Sequence, residues 1–184
     1  MKRFFIVLSF LCFMVSSKAQ FVSEVAQSGH EINITAGVNI TPPKPAWGYH
    51  GIERSGCMIV GYGYNVSKYF YAGGSTGAFF DVGMSTEQGG AVLLPVMADL
   101  RFSYPLGKKL VPYVHVRSGY GFTINDSPNK DYAIFNPTLG LAFHISRAID
   151  FRLAAGFMGL WGHSNTVYDD LCGFSLQAGA SFRL

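Results

Sequence analysis

A histidine, a serine and two acids lie close together near the carboxyl-terminal end of the sequence. Ser164 follows His163 directly, and Asp169 and Asp170 come shortly afterwards. A serine, a histidine and a carboxylate within hydrogen-bond reach can form the triad of a hydrolase. Adjacent side chains on a strand point to opposite faces, however, so His163 is poorly placed to take the proton of Ser164. An ordinary polar loop is the favoured interpretation, and His163, Ser164 and Asp169 are weak catalytic candidates.

Metal and nucleotide chemistry find little support in the sequence. The five histidines stand at positions 30, 50, 115, 144 and 163, without the spacing of a metal site. The segments Gly61–Gly63 and Gly119–Gly121 lack the third glycine and the following helix of a dinucleotide site. We therefore expect no metal and no cofactor.

The first segment of the chain is typical of a secretory signal peptide. Lys2 and Arg3 precede an apolar run from Phe4 to Val15, and small residues around Lys18 suit a signal peptidase that cleaves before Gln20. The expected organisation is 1–19 signal peptide, 20–30 short periplasmic segment and 31–184 folded domain.

Removal of the signal changes the charge of the chain. The whole sequence has 14 Lys and Arg and 11 Asp and Glu, but three of the basic residues belong to the signal. The mature chain is therefore formally neutral and has no basic run, so we expect no nucleic-acid partner.

Alternation of apolar and polar residues continues through the rest of the chain. Between Glu31 and Thr41, isoleucine, alanine and valine occupy every second position, with asparagine, threonine and glycine between them. This period of two predicts a β-strand. Seven more segments follow the same rule, with faces that start at Met58, Phe70, Leu94, Val114, Phe135, Phe151 and Phe174.

The connections between these strands alternate in length. Short turns are expected near Ser67-Lys68, at Pro105–Lys109 and at Ser146–Ala148. Long loops are expected at Pro42–Ser55, Gly83–Ala91, Thr123–Tyr132 and Gly159–Leu171. Short turns on one side and long loops on the other are typical of outer-membrane barrels, with the short turns in the periplasm.

The composition indicates that the apolar faces meet lipid. Only 14% of the chain is charged, whereas a soluble surface is roughly 25–35% charged. Aromatic residues fall at both strand ends: Phe80, Tyr120, Phe122, Phe135, Phe157 and Phe174 toward the long loops, and Phe70, Phe102, Tyr104, Phe143, Phe151 and Phe182 toward the short turns. Two aromatic rings mark the two membrane interfaces. The sequence therefore predicts a monomeric, all-β, eight-stranded antiparallel transmembrane β-barrel of up-and-down topology.

Several charged residues fall on positions that face the barrel lumen. Burial of such groups is costly unless they pair, so we interpret them as a structural network, with a gated pore or proton path as the alternative. The predicted lumen network is Asp81, Asp99, Arg101, His115, Arg117 and Arg152.

Two cysteines remain after the signal, and export permits a disulfide. Cys57 and Cys172 both fall at the long-loop ends of strands that flank the first strand. Strand parity places Cys57 inward and Cys172 outward, with a strand between them. The pair is a disulfide candidate that spacing alone cannot establish.

Three segments resemble the OmpA/OmpX-type small outer-membrane barrels, especially the single-domain versions common in Bacteroidetes. They are Pro112–Phe122, Phe135–Leu141 and Gly179–Leu184. The resemblance covers the whole mature chain. It implies a protein of the cell outer membrane that contacts outer-membrane lipid and lipopolysaccharide and is inserted by the barrel-assembly machinery.

The segment Trp161–Asn165 resembles the His-x-Ser-Asn signature of the outer-membrane lipid A deacylases, which are also eight-stranded barrels. That family has one residue between the histidine and the serine, and here His163 and Ser164 are adjacent. The favoured function is therefore non-enzymatic, a structural or surface-interaction protein whose four long loops meet an extracellular ligand. A lipid A-modifying hydrolase is the second hypothesis, and a narrow pore is the third.

Overall fold

The computed structural model describes residues 29–41, 53–80, 92–106, 109–124, 131–162 and 171–184. These residues form eight antiparallel strands. In chain order they are β1 (Gly29–Thr41), β2 (Glu53–Asn65), β3 (Phe70–Phe80), β4 (Val92–Ser103), β5 (Leu110–Thr123), β6 (Asp131–His144), β7 (Ile149–Gly162) and β8 (Leu171–Arg183). Residues 1–28, which contain the predicted signal peptide and most of the predicted periplasmic segment, lie outside the described residues.

The sheet closes on itself in strand order, because β1 pairs with both β2 and β8. Ile34 illustrates the closure, since it stands opposite Val60 on one side and opposite Ala180 on the other. A closed sheet leaves no unpaired edge, which is what a strand-built structure requires in lipid. The predicted eight-stranded up-and-down barrel is confirmed.

The outer wall carries the apolar faces that the alternation predicts. Met58, Val96, Leu139 and Phe174 are each more than half exposed, although such side chains are usually buried in soluble proteins. Aromatic side chains from both predicted rings also point outward, for example Tyr120 near the long loops and Phe102 near the short turns. No helix among the described residues is long and apolar enough to cross a membrane.

The strands extend further than the alternation suggests. β1 begins at Gly29, β2 begins at Glu53 inside a predicted loop, and β7 continues to Gly162. In β7 the pattern is obscured because the Trp161 ring lies over the outward-facing Gly159. Gly159 is thus buried between two buried inward residues, Met158 and Leu160. Because three consecutive residues are buried, this part of β7 does not alternate between exposed and buried positions.

Two of the short turns share one geometry. Ser67 and Phe70 exchange backbone hydrogen bonds of 3.2 and 3.3 Å, and the Ser67 hydroxyl oxygen accepts the Phe70 backbone NH at 3.1 Å. In the turn between β6 and β7, the Ser146 hydroxyl oxygen accepts the Ile149 backbone NH, also at 3.1 Å. A serine whose hydroxyl satisfies the turn backbone fixes the conformation of the hairpin. The predicted turns near Ser67 and Ser146 are confirmed.

Glycines inside the barrel make room for large aromatic side chains. Gly140 stands opposite Tyr113 in the β5–β6 ladder, and a Cβ at Gly140 would lie 2.4 Å from the Tyr113 ring and 2.6 Å from the Leu153 carbonyl oxygen. The Tyr113 ring therefore packs directly on the backbone of β6. A ring that covers a cross-strand glycine is a device that fixes strand register.

Substitution of Gly140 tests this packing. We expect Gly140→Ala to lower the free energy of unfolding by about 1–3 kcal/mol, because the new methyl group overpacks the interior. Gly74→Ala is the matched control, since a Cβ there points outward and lies 3.5 Å from its nearest neighbour, the Met97 carbonyl oxygen. The readout is the denaturant midpoint of the SDS-resistant, heat-modifiable form. Equal midpoints for the two variants would contradict the assigned packing.

Candidate functional site: the barrel lumen

The lumen contains most of the predicted polar network. Asp99, Arg101, His115 and Arg117 are buried, each with no more than 4% of its surface exposed. They come from neighbouring strands, since Asp99 stands opposite Arg117 and Arg101 opposite His115 in the β4–β5 ladder. Arg152 enters the same space from β7. The sixth predicted member, Asp81, lies outside the described residues.

The centre of the network is Glu31, which the sequence-based prediction did not include. Arg101 donates two hydrogen bonds to its carboxylate, from Nη1 to Oε1 at 2.9 Å and from Nη2 to Oε2 at 2.8 Å. Arg152 donates a third, from Nη2 to Oε1 at 2.8 Å. Paired two-point contacts of this kind are among the stronger hydrogen bonds in proteins. One carboxylate thus joins β1, β4 and β7 across the barrel.

Amide side chains and a tyrosine complete the surroundings of Glu31. The Asn65 amide donates to Glu31 Oε2 at 3.1 Å and accepts from Arg101 at 3.3 Å. Asn33 accepts a hydrogen bond from Arg152 and donates to the Tyr71 hydroxyl at 3.0 Å. The Arg101 guanidinium also lies over the Tyr71 ring, 4.4 Å from its centroid. Hydrogen-bonded burial of this kind is what makes buried charge tolerable.

A second cluster surrounds Asp99. Ser75 donates to its carboxylate at 2.8 Å, and Arg117 Nε and His115 Nε2 lie 3.7 and 3.8 Å from its oxygens. Arg117 Nη1 also donates a hydrogen bond to Gln177 Oε1 at 2.7 Å. The Arg117 side chain therefore connects β4 and β5 with β8 on the far side of the lumen.

A third cluster closes the short-turn mouth. The Asp150 carboxylate accepts a hydrogen bond of 2.6 Å from Arg183 and contacts His144, and its distance to Arg152 is 4.0 Å. Arg152 thus links this cluster to Glu31. Ion pairs consequently run from the short-turn mouth to the middle of the barrel.

An apolar cluster fills much of the long-loop half of the lumen, beside the buried polar side chains of Asn39, Thr123 and Ser175. Its side chains come from five strands and each has at most 4% of its surface exposed. They form one cluster of Cys57, Ile59, Phe79, Leu93, Met97, Tyr132, Ile134, Met158 and Leu160. This apolar layer lies between the polar network and the long-loop end, on the side of the barrel formed by β2, β3, β4, β6 and β7.

Two small cavities lie beside these groups in the described lumen. One of about 40 Å³ lies at the short-turn mouth among Glu31, Arg101, Asp150 and Arg183, and one of about 10 Å³ lies beside Arg117. A water molecule needs roughly 10–15 Å³ measured in this way. These two cavities therefore have room for a few waters.

The candidate disulfide is not formed, because Cys57 and Cys172 are both free thiols. Cys57 belongs to the apolar layer inside the barrel. Cys172 is on the same face of β8 as the outward Phe174, and β1 lies between the two strands. Opposite faces and an intervening strand keep the two sulfur atoms apart, because a bridge needs Cβ atoms about 4 Å apart.

The weak catalytic candidates His163, Ser164 and Asp169 lie outside the described residues. The preceding Trp161 and Gly162 end β7. Within the described ranges, no three His, Cys, Asp and Glu side chains come together to hold a metal ion.

Comparisons with known proteins place this geometry among small barrels. Neisserial surface protein A has a TM-score of 0.67 and 11% identity, over 86% of this chain and 100% of that chain. Pseudomonas aeruginosa OprG has a TM-score of 0.53 and 10% identity, over 85% and 96%. Ail, the attachment invasion locus protein of Yersinia pestis, has a TM-score of 0.51 and 15% identity, over 85% and 98%. No family model and no curated protein sequence matches the chain.

The closed sheet, its apolar outer wall and its filled lumen define a transmembrane β-barrel. The fold that it shares with these neighbours is that of the small outer-membrane barrels. The chain is an integral β-barrel protein of the cell outer membrane, with the small-barrel fold of these neighbours.

Removal of the central carboxylate tests the network. We expect Glu31→Ala to lower the free energy of unfolding by about 3–5 kcal/mol, because Arg101 and Arg152 lose their shared buried anion. The double variant Glu31→Ala with Arg152→Ala should cost less than the sum of the single variants, since the two residues are in contact. Asp131→Asn is the control at an exposed acid, and its effect should stay within about 0.5 kcal/mol.

Denaturant midpoints of the folded protein in detergent measure these differences. Additive effects of Glu31 and Arg152 would show that the ion pair does not couple β1 to β7.

Proposed function

We propose that the chain is a non-enzymatic outer-membrane scaffold that presents the segments between its strands at the long-loop end to the outside. These segments are 42–52, 81–91, 124–130 and 163–170. The observation that carries the proposal is the packed lumen, in which buried ion pairs lie toward the short turns and a buried apolar cluster lies toward the long loops. A lumen filled by ion pairs and packed apolar side chains favours a role for the segments outside the barrel.

The lumen argues against the narrow pore. A conducting path needs a continuous column of water, and the apolar layer around Phe79, Leu93 and Ile134 is almost fully buried. Apolar constrictions exclude water and ions. The charged groups below this layer hold one another in ion pairs, which suits a structural role.

The names of two structural neighbours support a role at the cell surface. One bears the name surface protein, and another bears the name attachment invasion locus protein. Their fold is a rigid support for loops, and loops on a rigid support commonly carry binding residues. By analogy, we infer an extracellular ligand or lipopolysaccharide as the partner of the long-loop segments and a monomer as the working form. The sequence resemblance further favours the single-domain type common in Bacteroidetes.

Planar-bilayer recording tests the closed lumen. The purified, folded barrel should give no discrete conductance steps, because the buried apolar layer disfavours the passage of ions and water. A general porin inserted under the same conditions serves as the positive control. Reproducible steps from the folded protein would overturn the scaffold proposal in favour of the pore.

Shortening of the long-loop segments tests the surface role. Replacement of 42–52 and 163–170 by short Gly-Ser linkers should leave the barrel heat-modifiable, since the closing β1–β8 ladder is untouched. Cells that display this variant should attach less than wild-type cells to immobilised lipopolysaccharide or to immobilised extracellular-matrix protein. Undiminished attachment on every surface, with the variant folded, would refute a loop-mediated role.

A further inference from the structure

Backbone pairing around the ring is interrupted between two pairs of neighbouring strands. Within the described residues, the register runs without a gap in six of the eight strand pairs. Between β3 and β4 it omits residues 77–78 and the facing residues 94–95. Between β6 and β7 it omits residues 136–137 and the facing residues 157–158. The wall of the barrel therefore has two seams at which the pairing of adjacent strands is incomplete.

A proline stands in each of these seams. When the flanking registers are continued, Pro95 lies opposite Gly77 in the β3–β4 seam and Pro137 lies opposite Phe157 in the β6–β7 seam. Proline has no backbone N–H to donate to the next strand and is normally confined to sheet edges and bulges. A closed barrel has no edge, and a carbonyl group left unpaired in its wall is costly in lipid. Each seam therefore needs hydrogen bonds from another source.

Side chains supply a hydrogen bond across both seams. The Asn136 side-chain amide donates at 2.8 Å to the carbonyl oxygen of Phe157, the residue that faces Pro137. In the other seam, the Thr76 hydroxyl donates to the Pro95 carbonyl oxygen, also at 2.8 Å. Asn136 is buried in the lumen, whereas Thr76 is exposed on the outer wall. The β6–β7 seam is thus bonded from the interior, and the β3–β4 seam from the lipid side.

The polar network of the lumen orients the Asn136 amide. Gln177 Nε2 donates to the Asn136 side-chain oxygen at 2.8 Å, and Arg117 Nη1 donates to Gln177 Oε1 at 2.7 Å. Because a carboxamide has its acceptor oxygen and donor nitrogen on opposite sides, a hydrogen bond to the oxygen fixes the direction of the nitrogen. Arg117 of β5 is consequently linked, through Gln177 and Asn136, to the backbone of β7.

We propose that Asn136, oriented by Gln177, is a latch that keeps the β6–β7 seam shut in place of the N–H that Pro137 lacks. Loss of the latch should open the wall at this seam and leave the rest of the ring intact, because the β5–β6 and β7–β8 registers are continuous. Local opening of this kind differs from global unfolding in both free energy and extent. The latch belongs to the barrel wall and does not involve the segments at the long-loop end.

Amide hydrogen exchange of the folded protein in detergent micelles, resolved by residue with NMR, tests the latch. Asn136→Leu should speed exchange in residues 155–159 by about tenfold, since a buried acceptor left without its donor corresponds to a factor of this order. Exchange in residues 74–78 of the β3–β4 seam should keep the wild-type rate. Gln177→Leu leaves Asn136 in place and should give a smaller increase in residues 155–159, so it carries the test if Asn136→Leu does not fold.

Two further variants separate a latch from a general loss of packing. Pro137→Ala restores a backbone N–H, so its combination with Asn136→Leu should recover most of the wild-type protection in residues 155–159. Thr76→Val is the matched control, because it removes the side-chain donor of the other seam and should speed exchange in residues 74–78 alone. Heat-modifiability confirms that each variant is folded.

Three results would overturn the latch. They are unchanged exchange in residues 155–159 of the folded Asn136→Leu variant, equally faster exchange at every strand pair, and no recovery when Pro137→Ala is added.

Discussion

Backbone pairing between β1 and β8 closes the sheet into a ring. In lipid, an unpaired strand edge costs several kcal/mol for each unsatisfied backbone group, so eight strands must form a complete ring. A ring of eight strands is too narrow for a water-filled channel and must be filled by side chains. The glycine opposite Tyr113, the ion pairs and the apolar layer all follow from that requirement.

The sequence predicts the fold well because strand parity is a local property. Every second residue from Ile32 to Ile40 is apolar, and the same rule identifies the outward face of all eight strands. The predicted inward residues Asp99, Arg101, His115 and Arg117 are buried as expected. Strand parity predicts which face of the sheet a side chain occupies, but its partner also depends on the register between the strands.

The features of the lumen that the sequence does not predict depend on contacts across the barrel. Glu31 stands at the edge of its predicted strand and pairs with residues 70 and 121 positions away. Parity with Asn33 gives the inward direction of Glu31, but only the closed ring brings Arg101 and Arg152 to it. The sequence does not predict the apolar layer for a related reason, since Leu160 and Tyr132 belong to strand ends whose sequence pattern predicts loops.

The polar network also gives a reason why buried charge is retained in a lumen that apolar residues could fill. A slip of one residue in a strand moves every side chain to the opposite face. In this barrel, a slip of β1 would move Glu31 into lipid and leave Arg101 and Arg152 without their shared carboxylate. An apolar interior would penalise the same slip far less, because the lipid-facing side accepts apolar residues. The ion pairs therefore select one register among the closed arrangements that backbone pairing alone would permit.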